Sequence, residues 1–230
     1  MYASLENRQS MARTAAGWNF IYRSEYGRRY PCESLIVFVQ RLKARGFNGR
    51  RALDVGFGTV ADMLMLVEAG YDIDGLEVAE NAIAKARAAL DKAGVPHKLS
   101  LWEPGTPFPC ESGFYDLVVS IGALHYNLDQ RLVLSEMRRV LRTGGRFMTT
   151  YHGPLFHHWR HSEIVRPGVR RYTAEYPNES TRGVEFVYFE RVEELEALYN
   201  ASFVDVEVSH YQYRVLGQDE SYWLVTGTAG

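Results

Sequence analysis

Little in this sequence points outward to a membrane, a nucleic acid or a metal. Of 230 residues only two are cysteines, Cys32 and Cys110. They are too few for a disulfide framework and lack the paired spacing of a zinc site, so a reducing, cytoplasmic setting is expected. No apolar run reaches membrane-spanning length, and the opening stretch "MYASLENRQSMARTAAGW" lacks the apolar core of a secretory signal. Charge of one sign is also missing. Lys and Arg total 26 against 28 Asp and Glu, a formal net charge of −2, which offers nucleic acid or anionic lipid no general attraction. There is neither low complexity nor an internal repeat. Aromatics, by contrast, are plentiful: fifteen tyrosines and four tryptophans, weighted toward the two ends of the chain. They serve either as walls for a small-molecule pocket or as extra core.

What is present is an alternation of strand and helix patterns. "CESLIVFVQRLKARG" carries apolar residues at 35, 38, 39 and 42, a helical stripe. "RALDV" reads as a strand, "VADMLMLVEAG" as a helix ending at Gly70, and "YDIDGLE" as a second strand. "AENAIAKARAALDKAG" repeats its apolar face at 79, 82, 83, 86 and 90. "HKLSLW" and "FYDLVVSI" are strands three and four, and "LDQRLVLSEMRRVLRTGG" is a helix with apolar positions 128, 132, 134, 137 and 141, closed by Gly144–Gly145. "RFMTTY" is strand five. Such alternation predicts an α/β fold, Rossmann-like and doubly wound, with helices on both faces of a mostly parallel sheet. The tail departs from it: "FVDVEVSHYQYRV" and "SYWLVTGTA" flank a turn at Gly217, an antiparallel hairpin. Residues 152–188 show weak periodicity and are expected to be an insertion or lid. The whole chain, 1–230, is read as one domain.

"ALDVGFGTVADMLMLVEAG" raises the question of which nucleotide it holds. Gly56 and Gly58 let the backbone turn sharply and approach a ligand with no Cβ in the way. With Ala61 they satisfy the dinucleotide fingerprint, and Glu77, at the end of strand two, is an acid suited to ribose hydroxyls in either a nicotinamide dinucleotide or S-adenosylmethionine (SAM). Asp54 separates the two. A carboxylate beside the turn repels pyrophosphate and favours a cationic ligand; its alternative role is a cap on the turn.

"LDVGFGTVADMLMLVEAGYDIDGLEVAENAIAKAR", with "FYDLVVSIGALHY" and "LSEMRRVLRTGGRF", resembles the class I SAM-dependent methyltransferases, in particular those acting on small molecules. The resemblance implies a seven-stranded sheet with an antiparallel C-terminal strand. It implies that Asp54, Gly56, Phe57 and Gly58 lie along the methionine portion of SAM, Glu77 on its ribose and Val78 against its adenine. Trp102 or Glu103 would meet the adenine edge, and Ser120 and Ile121 would offer backbone carbonyls to the ammonium. "YGRRYPCESLIVFV" resembles a segment that closes over the cofactor, with Tyr30 covering it and Arg29 pairing with its carboxylate; residues 1–48 would form this helical cap. S-adenosylhomocysteine (SAH) would be the product. Val60 stands where the family usually has the third glycine, and Phe57 where it has a small residue.

Methyl transfer needs alignment more than acid–base chemistry, and a base only where the acceptor loses a proton. His125, in "GALHYN" just past strand four, is the expected base, with Tyr126 beside it; the alternative is that both only shape the pocket. His152, His157 and His158 are expected to help bind the acceptor. His157 and His161 would share a face if helical, yet no Asp or Cys stands at ligand spacing, so no metal is expected. Arg160, Arg166, Arg170 and Arg171 crowd the same segment, as anion ligands or as a solvated basic face. The acceptor is expected to be a small molecule, with no nucleic acid or membrane partner. A nicotinamide oxidoreductase and a SAM-binding protein without methyl transfer remain the alternatives.

Overall fold

The computed structural model describes residues 5–24 and 27–230. Strands β1 (Arg51–Val55), β2 (Asp72–Glu77), β3 (His97–Leu101), β4 (Tyr115–Ile121), β5 (Leu141–His152), β9 (Val204–Val215) and β10 (Gln218–Thr228) make a seven-stranded sheet in the order β3-β2-β1-β4-β5-β10-β9. The pairs among β1 to β5 are parallel, and β10 runs antiparallel to both of its neighbours. The turn of that last hairpin is Leu216–Gly217, both at positive φ (48° and 81°), the two-residue geometry that matches strand twist.

Side-chain alternation explains the double winding. Leu53, Val55, Val118 and Phe147 join α5 (Gln130–Val140) and α6 (Val192–Asn200) in one core. Their neighbours Ala52, Leu117, Val119 and Met148 join α2 (Glu33–Ala44), α3 (Ala61–Glu68) and α4 (Glu80–Lys92) in the other. Strands buried on both faces read as continuous apolar runs, as "LVV" in β4 does. Ala82, Ile83, Ala86 and Leu90 of α4 are buried, as is Ala79 just before it, the five expected. In α5 Leu134 and Met137 are buried as expected, as is Leu141 at the start of β5, while Leu128 and Leu132 are only partly buried and Val133 and Val140 join the core. Asp129 caps the helix by accepting the Leu132 N–H at 3.1 Å. This helix stops at Val140, so Gly144 and Gly145 lie within β5 rather than closing it.

The weakly periodic insertion has a sheet of its own. β6 (Ser162–Arg166), β7 (Val169–Tyr172) and β8 (Glu185–Val187) pair antiparallel over a small core of Tyr172, Tyr176, Val184 and Phe186. Tyr126, from the turn after β4, packs on that core and joins the insertion to the main sheet. At the other end of the chain, α1 (Leu5–Ile21) lies beside α4 and the insertion: Asn19 accepts the Asn81 N–H at 2.9 Å, and Arg13 donates to the Gly183 carbonyl at 3.3 Å.

Candidate active site

The carboxyl ends of the parallel strands open onto a cleft of about 1270 Å³, above the roughly 300–1,000 Å³ of an ordinary ligand pocket and large enough for two ligands side by side. Gly56, Gly58, Glu77, Val78 and Trp102 line one end; Tyr126, Thr150, His152, Phe156, His158 and Tyr222 line the other. Trp18 and Tyr22 from α1, Arg28, and the start of α2 cover the opening between them.

At the first end the backbone sets the chemistry. Gly56 (φ 73°) and Gly58 (φ 53°) occupy the left-handed region. A Cβ on Gly56 would lie 2.4 Å from the Ala123 Cβ, and one on Gly58 would lie 2.3 Å from the Tyr22 hydroxyl, so neither place accepts a side chain. The Gly56 N–H donates to the Leu76 carbonyl at 2.7 Å, and the Gly58 N–H donates to Glu77 Oε2 at 2.9 Å. Glu77 Oε1 accepts from Val78 and Ala79 N–H at 2.7 and 3.1 Å. Both glycine donors are therefore already engaged, and a pyrophosphate laid on this turn would find neither.

The charge around the turn is also wrong for a phosphate. Asp54, Asp62 and Glu77 are 1%, 2% and 4% exposed. Asp62 is satisfied: its Oδ2 accepts from Arg28 at 2.5 Å and its Oδ1 from the Cys32 N–H at 2.7 Å, which ties the chain before α2 to the start of α3. Asp54 is not, since its buried Oδ2 has no hydrogen-bond partner. Burial above all, then the negative charges of Asp62 and Glu77, pushes the Asp54 carboxyl well above the usual carboxylate range. Burial likewise raises Glu77, against the pull of its three N–H donors. Three buried carboxylates, of which Asp62 and Asp54 act on the one guanidinium, make a setting that a cation relieves and an anion worsens.

At the other end rings dominate. His152 stacks on Phe156 with centroids 3.8 Å apart and 12° between planes, and His158 meets His152 edge-on at 5.4 Å. The His158 ring nitrogens lie 3.1 Å from the Tyr176 hydroxyl, and the Tyr172 hydroxyl is 3.4 Å from its Nδ1; Tyr172 in turn meets the Tyr126 hydroxyl at 3.1 Å. Burial, with help from His157 and His161, lowers His158 to about 3. Burial and the neighbouring His125, His158 and His157 hold His152 well below the usual value. Both rings are neutral at physiological pH.

Several expected site residues lie elsewhere. His125 is 0% exposed, lines no part of the cleft, and both its ring nitrogens are buried without a partner. It sits behind His152, centroids 4.1 Å apart, and burial lowers it to about 3, so it cannot reach an acceptor. Tyr126, next to it, does line the cleft. Arg29 and Tyr30 face solvent, Tyr30 at 80% exposure, and Arg28 takes the cleft-lining place. Glu103 is exposed while Trp102 lines the cleft, its indole N–H donating to the Thr106 carbonyl at 3.1 Å. Ser120 is buried and its hydroxyl donates to the Val55 carbonyl at 2.7 Å, leaving Ile121 as the lining residue of that pair. Asp54 lies beneath the lining rather than in it, whereas Phe57 does line the cleft, its ring packed over Gly75 so closely that a Cβ there would come within 2.6 Å of it. His157 leaves the cleft for Glu220, at 3.4 Å. His157–His161 forms a 3-10 turn, and among the described residues no group of three metal-ligating side chains exists. Sequence reading missed Arg28, Phe156, Tyr222 and Trp18; no local motif marks them.

Residues 53–149 match the family described as a methyltransferase domain. The chain carries a methyltransferase domain. Solved structures share its fold. One comes from work on the conversion of a disulfide bond into a thioacetal group during echinomycin biosynthesis. It is 18% identical, the match covering 94% of this chain and 91% of that one, with a TM-score of 0.65. A SAM-dependent methyltransferase from Methanosarcina mazei is also 18% identical, covering 77% and 91%, with a TM-score of 0.62. The N-terminal domain of EvdMO1, solved in the presence of SAH and D-fucose, is 23% identical, covering 86% and 84%, with a TM-score of 0.60. No curated protein matches the sequence. The expected seven-stranded sheet and its antiparallel final strand are both present.

Proposed function

We propose that this methyltransferase domain takes SAM as its cofactor and methylates a small molecule. The observation that carries the choice of cofactor is the glycine turn itself: both N–H groups are engaged and three buried carboxylates surround it. That donor and charge set suits a sulfonium with an ammonium and disfavours a dinucleotide. Glu77 holds the ribose hydroxyls, Val78 and Trp102 lie along the adenine, and Gly56, Gly58 and Ile121 line the amino-acid portion. Arg28, in place of Arg29, is the cation available to its carboxylate. Residues 1–48 serve as the cap and 152–188 as the wall over the acceptor.

When bound, SAM supplies a methyl carbon on a good leaving group. The chain's own task is to hold the acceptor in line and keep water out, and positioning of this kind is worth roughly 7–11 kcal/mol in favourable intramolecular cases. The buried rings around His152 do both. Support for a small acceptor comes from the enclosed second half of the cleft and from the neighbour solved with SAH and D-fucose. No helix of the described residues is long and apolar enough to cross a membrane, and the cysteine usage favours the cytoplasm.

Calorimetric titration with SAM and, in parallel, with NADH tests the cofactor assignment. Saturable SAM binding without NADH heat is the expected result. NADH binding without SAM would make the protein an oxidoreductase.

A further inference from the structure

Resting on the methyltransferase reading, we infer that the acceptor is an uncharged aromatic alcohol, a phenol or naphthol, whose hydroxyl is received by His152.

Ring surfaces surround the acceptor half. Phe156 and Tyr222 stand with centroids 5.2 Å apart at 62°, Trp18 meets Tyr126 edge-on at 5.3 Å, and the two histidine rings complete the wall. A flat apolar guest gains stacking on such surfaces, about 0.5–1.5 kcal/mol per well-placed ring pair beyond area burial.

Charge excludes the anionic alternatives. The charged residues lining the cleft are Arg28, Glu33, Arg41 and Arg45 from the N-terminal segment, Glu77 on β2 and Glu207 on β9. Neither the ends of β4 and β5 nor the insertion places a carboxylate, guanidinium or ammonium there. The five insertion arginines are committed elsewhere, Arg182 to the Tyr176 carbonyl at 2.8 Å and to Glu179 at 3.0 Å. Arg160 donates to Asp219 at 2.7 Å; Arg166 and Arg171 donate to Glu185 at 3.0 and 2.7 Å. Arg170 donates to the Ser162 hydroxyl at 2.8 Å and lies 5.0 Å over the Trp159 ring. An acceptor carboxylate or phosphate would enter the rings with no counter-charge, and a buried unpaired anion is strongly disfavoured.

Among the polar groups of this wall, His152 offers the uncommitted acceptor; Asn127 Nδ2 also lines the cleft and is buried without a partner, but an amide nitrogen only donates. His158 is occupied by the tyrosine hydroxyls, and the His125 nitrogens are sealed from the cleft. The His152 ring lines the cleft and makes no hydrogen bond to any described residue, its Nδ1 being buried without a partner. Its Nε2 is therefore the atom available to a guest, and a neutral imidazole nitrogen there accepts from a hydroxyl. During transfer the bond made is O–CH3. The bonds broken are O–H, whose proton passes to His152 Nε2, and CH3–S, whose electron pair stays on sulfur. The proton then leaves to solvent; His152 anchors the hydroxyl and takes the proton only transiently, because its buried ring holds one weakly.

Three probes of one skeleton test this at saturating SAH: 2-naphthol, 2-methoxynaphthalene, which has no O–H, and 2-naphthoate, which carries a charge. Calorimetry should show 2-naphthol binding at least tenfold tighter than either. His152→Phe keeps the stack on Phe156 and removes the acceptor atom; it should bring 2-naphthol down to the affinity of its methyl ether, leave SAH affinity unchanged and, in a separate assay with SAM in place of SAH, abolish naphthol methylation. Phe156→Leu, which keeps His152, should weaken naphthol and ether alike and preserve the preference between them. Tighter binding of 2-naphthoate, no binding of any probe while SAH binds, or an undiminished naphthol preference in a folded His152→Phe protein would overturn the inference and leave the methyltransferase reading standing. Failure of SAH itself to bind would instead remove that reading.

Discussion

At the Gly56–Glu77 end, the cleft is shaped by backbone and buried carboxylates; at the His152 end, it is shaped by rings and neutral imidazoles. One end is acidic and fixed by hydrogen bonds that the Val78, Ala79 and Gly58 N–H groups donate to Glu77. The other is apolar and assembled from four separated parts of the chain: Trp18, Tyr126, His152 to His158, and Tyr222. A cationic cofactor and an uncharged acceptor call for these opposite environments within one cavity. The two ends should therefore fail independently when altered, and that is where the comparison is open to test.

Gly56→Val carries the largest expected effect. A side chain there meets the Ala123 Cβ at 2.4 Å and must hold φ near 73°. The left-handed conformation costs about 1–2 kcal/mol and overpacking a further ~1–3 kcal/mol, so SAH affinity should fall beyond calorimetric detection. Binding of 2-naphthol should survive wherever the thermal melt shows a folded protein. Joint loss of both ligands from a folded variant would mean that the ends are not separate sites.

Glu77→Gln comes next. It removes the charge that three N–H groups surround and that the ribose hydroxyls would meet. A hydrogen bond to a charged group is worth about 1.5–3 kcal/mol, so SAH should bind ten- to a hundredfold more weakly with naphthol affinity unmoved. Unchanged SAH affinity would strip Glu77 of its assigned role.

The same contrast explains what could be read before the structure. The alternation of strands and helices, the hairpin and the glycine turn were legible because each rests on a local signal: doubly buried apolar runs, a Gly217 turn, two glycines needing positive φ. The acceptor end has no such signal. His125 sits at the position from which a base is expected, yet its ring turns inward behind His152, a packing outcome that spacing does not encode. Arg28 and Arg29 are adjacent in "GRRY", and only the fold shows which one faces Asp62. The insertion's strands are three to five residues long, too short for alternation to show, although "RPG" between β6 and β7 is a hairpin signal that Gly168, at φ 75°, bears out.

His125→Phe sharpens the acceptor end. Leaving a buried polar group unpaired costs about 1–3 kcal/mol, and an apolar ring of similar shape escapes that cost. The variant should melt at the same temperature or higher and keep most of its turnover; a large loss of turnover with His152 intact would restore His125 to the chemistry. The pH dependence of stability gives a second readout. His125 and His158 titrate at about 3 in the folded protein, and His152 well below its usual value, whereas an unfolded histidine titrates near ~6.5. The unfolded chain therefore binds more protons below that point. The stability from these neutral rings is complete above pH ~6.5 and falls as the pH drops toward 3. Each ring contributes about 1.4 kcal/mol per pH unit on that slope. Denaturant titrations between pH 7 and 5 should show a steep loss for the native sequence and a slope shallower by one proton for His125→Phe.

The smallest expected effect is the most direct check on charge at the acceptor end. Arg160 donates to Asp219 with its side chain 62% exposed, and exposed pairs of this kind are worth about 0–1 kcal/mol. Arg160→Ala should lower stability within that range. If the guanidinium never faces the acceptor, 2-naphthol and 2-naphthoate should each bind within about twofold of their native affinities, because at roughly 1.4 kcal/mol per tenfold a change that small lies within the worth of the lost pair. A selective loss of naphthoate binding would show that Arg160 can leave Asp219 and reach into the cleft. The acceptor end would then carry a latent cation, and its contrast with the acidic cofactor end would be one of sign rather than of charge against neutrality.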